Sequence, residues 1–162
     1  MNIFDEIYEE LLDRIRGAAF YGSGNDKVKP GNVIEHSTNG ILKPLNSSAD
    51  YPKIEARYTS IVADGATSNA AKYKATIKLI VRTGDNGYQT RLTPMMFEIL
   101  QICDTLRWWR ETFSDGQVFG SNNTGITQIG KYYDEIGRDQ VSGWSFEIDI
   151  TFGLCVNHTV EQ

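Results

Sequence analysis

The chain has 162 residues, of which 40% are apolar and 23% are charged, and its formal net charge is −5. Its length is that of one folded domain, and the apolar fraction excludes wholesale disorder. The excess of acids argues against a general nucleic-acid-binding surface. We therefore expect one domain over residues 1–162.

The cysteine and histidine content argues against a metal or disulfide framework. Cys103 and Cys155 form no CxxC pair and no Cys/His cluster. No apolar run is long enough to cross a bilayer, and the N-terminal residues are acidic where a signal segment would be basic. These features predict no metal, no cofactor and no membrane partner, and they favour synthesis in a reducing cytosol.

The N-terminal segment predicts an amphipathic helix followed by an irregular stretch. Apolar side chains recur at helical spacing from Phe4 to Ile15, with acids near the start and arginines near the end, and Gly17 is a natural stop. Residues 22–50 lose this periodicity and are rich in Gly, Asn, Ser and Pro. They predict a loop or hairpin insertion, which either contacts another molecule or is mobile.

Two strands are predicted next from period-two alternation. The first begins at Ile54 and is separated by a polar loop over 63–71 from the clearest strand, residues 73–82. The polar face of the second strand carries Lys74, Lys78 and Arg82. A mixed-charge face of this kind is usually solvated surface, but a ring subunit could use it for contact with a neighbour.

A second helix is predicted from Thr93 and Pro94, as N-cap and first-turn proline, with Leu92 and Phe97 placed to pack together across its start. We expect this helix to bury Met95, Ile99, Ile102, Leu106 and Trp109 and to run to about residue 113.

Near the end of this helix, Trp108 lies between Arg107 and Arg110. Adjacent helical positions point about 100° apart, so Trp108 faces away from the core that Trp109 joins. An exposed Trp flanked by arginines is typical of an interface anchor, although a Trp that covers the end of the core fits equally well.

The C-terminal third predicts two more strands, over residues 126–135 and 144–154, and a flexible tail over 156–162. The predicted fold is therefore α+β, with a mostly antiparallel sheet of about four strands, two helices packed on one face, and the long insertion.

The sequence predicts no catalytic residues. His36 and His158 lie in the irregular stretch and in the tail, where a general base would not be held in place. Cys103 lies in the apolar pattern of the second helix, where a thiol is usually an inert core residue. The acid pair Glu147 and Asp149 lies on the polar face of a strand and is best explained as solvated surface.

The order of elements resembles that of the tail terminator, or tail-to-head joining, proteins of long-tailed bacteriophages. The resemblance is in the order and size of elements and covers most of the chain outside residues 22–50. The segments that carry it are the 4–15 helix, Tyr51-Pro52-Lys53-Ile54, the 73–82 strand, the 94–109 helix and the 143–150 strand that contains Trp144.

The resemblance implies a structural virion protein, assembled in the host cytoplasm. Such proteins form a ring, usually of six subunits, that caps the finished tail tube and presents a surface to the head-completion or neck protein. Viral DNA would pass through the lumen without specific binding. The candidate interface residues are Arg107, Trp108, Arg110, Arg82, Lys74 and Lys78.

Two other functions remain open. A monomeric neck or head-closure adaptor that binds the portal and DNA would have a similar element order. A small hydrolase or transferase would need Asp134, Glu135 or His36 to meet in one pocket, and their spacing in sequence gives no support for that.

Overall fold

The computed structural model describes residues 2–17, 33–35, 52–67, 69–84, 87, 89, 92–106, 109–136 and 139–157. Two helices and six strands lie in these segments. The elements are α1 (Ile3–Gly17), β1 (Val33–Glu35), β2 (Lys53–Ala66), β3 (Ala70–Arg82), α2 (Thr93–Thr105), β4 (Glu111–Phe113), β5 (Gly116–Ile136) and β6 (Asp139–Asn157).

The six strands form one sheet in the order β1-β2-β3-β6-β5-β4. Every neighbouring pair is antiparallel except β1 and β2, which are parallel. β2 and β3 form one antiparallel hairpin, and β5 and β6 form another, so each of these pairs is joined by a short connection. The sheet is therefore built from two long hairpins that pair through β3 and β6.

Both helices share one hydrophobic core with the same face of the sheet, which we call the helix face. Alternate residues of the strands point into this core. The buried residues on the helix face of the sheet are Ile54, Ala56, Ala75, Ile77, Leu79, Val81, Val118, Phe146, Ile148, Ile150, Phe152 and Leu154. The opposite face of the sheet, which we call the outer face, carries the intervening polar and charged side chains.

Helix α1 begins where the sequence predicts. The Asn2 side-chain oxygen accepts a hydrogen bond from the Asp5 backbone N–H at 3.1 Å, which satisfies one of the free donors of the first turn. Ile7, Leu11 and Ile15 are buried along one stripe. The stripe fixes α1 over the sheet, where the Tyr8 hydroxyl accepts a hydrogen bond from the backbone N–H of Tyr58 in β2.

Helix α2 differs from its prediction at both ends. Thr93 does not cap the helix, because Leu92 occupies the N-cap position and no side chain makes a cap hydrogen bond. The Thr93 hydroxyl donates to the Gln89 carbonyl at 3.1 Å. Leu92 is buried while Phe97 is exposed, so the two do not pack together across the start. The helix ends at Thr105 and not near residue 113. The reason is that Glu111–Phe113 form β4, and their backbone groups pair with β5.

The predicted count of about four strands is wrong, because the sheet has six. The two additional strands, β1 and β4, have three residues each, which is too short to produce a periodic signal. β1 also lies inside the predicted insertion of residues 22–50, and it pairs in parallel with β2. The rest of that insertion lies outside the described residues.

The long strands extend further than alternation indicates. β2 continues to Ala66 and β5 begins at Gly116, through stretches whose Gly, Asn and Ser content predicts loops. Pairing with β3 and β6 supplies hydrogen bonds that outweigh weak local strand preference. Of the predicted flexible tail, Val156 and Asn157 belong to β6, and residues 158–162 lie outside the described residues.

Candidate functional site

Three of the predicted interface residues lie in a row on the outer face of β3. Lys74 is exposed. Lys78 is held by Glu147, with 3.0 Å between Nζ and Oε2, and lies 3.9 Å from Asp149 Oδ1. Arg82 is held by Glu55, with 2.9 Å between Nη1 and Oε1. Lys78 and Arg82 thus form ion pairs within the sheet, and Lys74 is the most exposed of the three.

The other predicted interface residues lie just after α2. Arg110 is exposed, and Arg107 and Trp108 lie outside the described residues. Trp109 is buried as predicted. Its indole N–H donates to Glu111 at 3.0 Å, and the Arg14 guanidinium lies over its ring. Trp109 therefore anchors the C-terminal end of α2 to α1 and β4.

A buried ionic cluster lies at the start of β2. Glu55 Oε1 is 2.9 Å from both Lys53 Nζ and Arg82 Nη1, and the Glu55 and Lys53 side chains are 0% and 2% exposed. One carboxylate shared by two cations compensates the cost of removing these charges from water. This arrangement holds the start of β2 against β3.

Further along the outer face, a polar groove of about 370 Å³ crosses the four long strands. It is lined by Thr59, Ser60, Thr76, Gly125, Ile126, Thr127, Asp149 and Thr151. The hydroxyls of Thr76 and Thr151 are hydrogen bonded to each other at 3.0 Å. The groove offers hydroxyl groups and the carboxylate of Asp149, and the described residues contribute no thiol or imidazole to it.

Two of the residues considered for catalysis belong to a described strand. Asp134 and Glu135 lie in β5 near its C-terminal end, and His36 and His158 lie outside the described residues. Burial raises the pKa of the Cys103 thiol to about 12, so this cysteine stays protonated and unreactive at neutral pH. The described residues contain no group of three His, Cys, Asp or Glu side chains that could hold a metal ion.

The most distinctive surface feature is a pair of open strand edges on opposite sides of the sheet. β1 pairs with β2 only at residues 54–56, and β4 pairs with β5 only at residues 116–118. Within the described residues no strand covers the remainder of either edge. We call residues 57–66 the β2 edge and residues 119–136 the β5 edge. An edge strand of this kind can accept a further strand, here around Ile61 on the β2 edge and Ile129 on the β5 edge.

Three of the four highly exposed, large apolar side chains of the described residues lie along these same edges. In the described part of the chain, the large apolar residues with high exposure are Ile61 at 41%, Val62 at 59%, Phe97 at 64% and Ile129 at 43%. Ile61 and Val62 belong to the β2 edge, and Ile129 belongs to the β5 edge. Phe97 lies on α2 and lines an apolar groove of about 310 Å³ together with Leu100 and with Thr124 of the β5 edge.

Exposed apolar residues that coincide with unpaired backbone groups are the features of a contact surface. Sequence reasoning missed both edges, because edge status depends on which strands pair. A weak signal was present in Ile61 and Val62, two β-branched residues side by side where alternation would place one polar residue.

Comparison with known proteins does not assign this chain to a family. No protein-family model matches it, and no curated protein matches it either. No helix within the described ranges is both long and apolar enough to cross a membrane. The inference of function therefore depends on the surfaces of the molecule.

Proposed function

We propose that the protein is a structural subunit of a virion, a tail terminator that forms a ring on the phage tail tube. The ring caps the tube at its full length and joins it to the head-completion or neck proteins. The observation that supports this proposal best is the pair of open, partly apolar edges on opposite sides of one sheet. Each copy can bind one neighbour on each side.

Two different surfaces on opposite sides favour head-to-tail association. Such heterologous contacts produce a closed ring when the rotation between copies closes, and a filament when it does not. A single self-complementary patch would instead produce a two-fold dimer. The ring is the closed product that fits a cap on a tube, and six is the subunit number implied by the resemblance to tail terminators.

The charge of the chain is compatible with passage of DNA through such a ring. The net charge of −5 gives a repulsive long-range field, which disfavours retention of a polyanion on the protein as a whole. Cations on the outer face such as Lys78 and Arg82 are engaged by carboxylates. Viral DNA therefore passes through the ring without sequence-specific binding.

The test is the mass of the purified protein by light scattering over a range of concentrations, alone and with isolated phage tail tubes. A closed oligomer of defined size, in solution or on the ends of the tubes, is the expected result. A strict monomer that does not bind tubes would overturn the proposal. Binding of that monomer to a portal or to DNA would instead establish the neck adaptor.

A further inference from the structure

We propose that the β2 edge of one copy pairs antiparallel with the β5 edge of the next copy, so that the sheet continues through the ring. The proposal rests on the proposed ring function and adds the surface by which its subunits join. The partner is a second copy of this chain. The pairing surface, which we call the seam, consists of the two edges and the groove beside Phe97.

Strand directions allow this pairing. β2 and β6 run the same way, because each is antiparallel to β3. β5 is antiparallel to β6 and therefore runs opposite to β2. Two copies placed side by side with their helix faces aligned bring a β5 edge against a β2 edge in antiparallel orientation, which is the more stable of the two pairings.

The exposed apolar residues match across the seam. Ile61 pairs with Ala75 and Ile129 pairs with Phe146 within one copy, and both partners point into the core. Ile61 and Ile129 therefore project on the helix face, at opposite edges of the sheet. In a continued sheet the two side chains lie directly opposite each other, where cross-strand apolar pairs stabilise the contact.

The regular parts of the two edges contain these same residues. β2 is irregular between Tyr58 and Ser60 and again between Ala63 and Ala66, so residues 60–63 are the uninterrupted segment of the β2 edge beyond Tyr58. β5 has its last irregularity between Ile126 and Gln128 and is regular from there to Ile136. A strand can add only to a regular ladder, and irregularities elsewhere limit how far the pairing extends.

The two short strands determine how neighbouring copies are shifted. Across the sheet of one copy, Ile129 lies in the same row as Ile54, which is seven residues before Ile61. Because β2 has one extra residue between Tyr58 and Ser60, these seven residues span only the six rows from Val81 to Ala75 of β3. An Ile61–Ile129 contact therefore shifts each copy along the strands by about 20 Å, at about 3.4 Å per residue. In an unshifted neighbour Ile61 would lie opposite Ser121. Ala63 would then meet β4, because β4 covers β5 at Val118, in the row of Ala63.

A shifted sheet can still close into a ring. In closed barrels the strands tilt by about 35–45° from the axis, and this tilt is what accommodates a shift of register around the ring. The same shift brings the end of the neighbour's β2, near Ala66, opposite Thr124. That position lies beside the apolar groove lined by Phe97 and Leu100, so the seam covers all four exposed apolar residues.

Disulfide crosslinking tests the seam directly, because opposite residues in an antiparallel pair have Cβ atoms close enough for a disulfide. The double variant Ile61→Cys with Ile129→Cys is oxidised in its assembled state, alone and on isolated tail tubes. We expect a ladder of covalent species that ends at the mass of the ring. The unsubstituted chain, whose Cys103 and Cys155 are buried, is the background control.

Single variants distinguish the geometries. Each single variant alone should remain monomeric on a denaturing gel, and an equal mixture of the two should give covalent dimers only. Dimers from Ile61→Cys alone would mean that two β2 edges pair with each other, and this result would overturn the seam. Crosslinks with Ser121→Cys in place of Ile129→Cys would mean an unshifted pairing and would overturn it as well.

Failure of the seam and failure of the ring give different results. A closed oligomer by light scattering with no Ile61–Ile129 crosslink would leave the proposed function in place and reject the seam. Absence of any oligomer, in solution or on tubes, would reject both. Ile129→Lys, at an exposed site, provides a second variant that should remain folded by circular dichroism while the oligomer is lost.

Discussion

β2 and β3 are the two arms of one hairpin, yet beyond Ala56 most residues of β2 are exposed, while alternate residues of β3 are buried. Ile77 of β3 and Ile61 of β2 are the same residue type and point to the same face, but Ile77 is 0% exposed and Ile61 is 41% exposed. β3 has a long strand on each side, whereas the second side of β2 is paired, within the described residues, only with the three-residue β1, at Ile54 to Ala56. Burial in this sheet therefore depends on the elements packed around each strand more than on local sequence, and Ile61 and Val62 are exposed in the described structure.

The largest expected effect on the free energy of unfolding is at the start of β2, where β1 pairs with it. Glu55→Gln keeps the size of the side chain but removes the carboxylate shared by the buried Lys53 and by Arg82. Loss of one member of a buried ionic cluster costs about 3–5 kcal/mol of the free energy of unfolding. Urea denaturation measures this loss.

The matched control is Glu147→Gln. Glu147 is 21% exposed, and its partner Lys78 also has Asp149 nearby. We expect a loss of about 1 kcal/mol or less, as for partly exposed pairs. Equal losses in the two variants would show that the start of β2 is no better covered than the middle of the outer face.

The second effect compares the two isoleucines directly. Ile77→Ala removes a fully buried side chain and should lower the free energy of unfolding by about 2–5 kcal/mol. Ile61→Ala should change it by less than about 0.5 kcal/mol, as is usual for surface substitutions. Similar losses in the monomer at both sites would mean that the β2 edge is covered within one chain.

The third effect is a pH dependence of the free energy of unfolding that arises from the buried Cys103 of α2. Because burial raises the pKa of Cys103 from 9.0 to about 12, the unfolded chain loses this proton at a lower pH than the folded chain. The free energy of unfolding should then fall between pH 9 and 12, by up to about 1.4 kcal/mol per pH unit from this group. The slope should be smaller in Cys103→Ala, and equal slopes would contradict the burial of the thiol.

The smallest effect on stability is expected at the β2 edge. Val62→Lys places a charge on an exposed edge position and should change the free energy of unfolding by less than about 0.5 kcal/mol. Assembly should nevertheless be lost, since lysine on an edge strand opposes pairing with another chain. Light scattering measures this, with Val62→Thr as the control that keeps a β-branched side chain. An oligomer that survives in Val62→Lys would count against the β2 edge.

Much of the core was predictable because its patterns of alternating apolar and polar residues continue over long segments. The stripe of α1, the alternation around Ile77 and the alternation around Ile148 each extend over enough residues to identify an element and its buried face. The strand count was wrong because β1 and β4 have three residues each. The end of α2 was wrong because pairing of β4 with β5 competes with the helix.

The candidate site was less predictable than the core. The sequence singled out Lys74, Lys78 and Arg82 as a charged strand face, and the fold uses Lys78 and Arg82 in ion pairs within the sheet. The proposed contact residues are Ile61, Val62, Phe97 and Ile129. An apolar residue in an alternating strand is normally assigned to the core, and its exposure can be read only from the tertiary structure.

The sequence by itself determined the class of elements, the apolar faces of α1, β3 and β6, and the inert environment of Cys103. These features depend on short-range periodicity, which a helix or strand shows whatever surrounds it. The tertiary structure decided the order of the strands, the ion pairing of the outer face and the two open edges. These depend on pairing between residues far apart in the chain, and such pairing leaves no local pattern in the sequence.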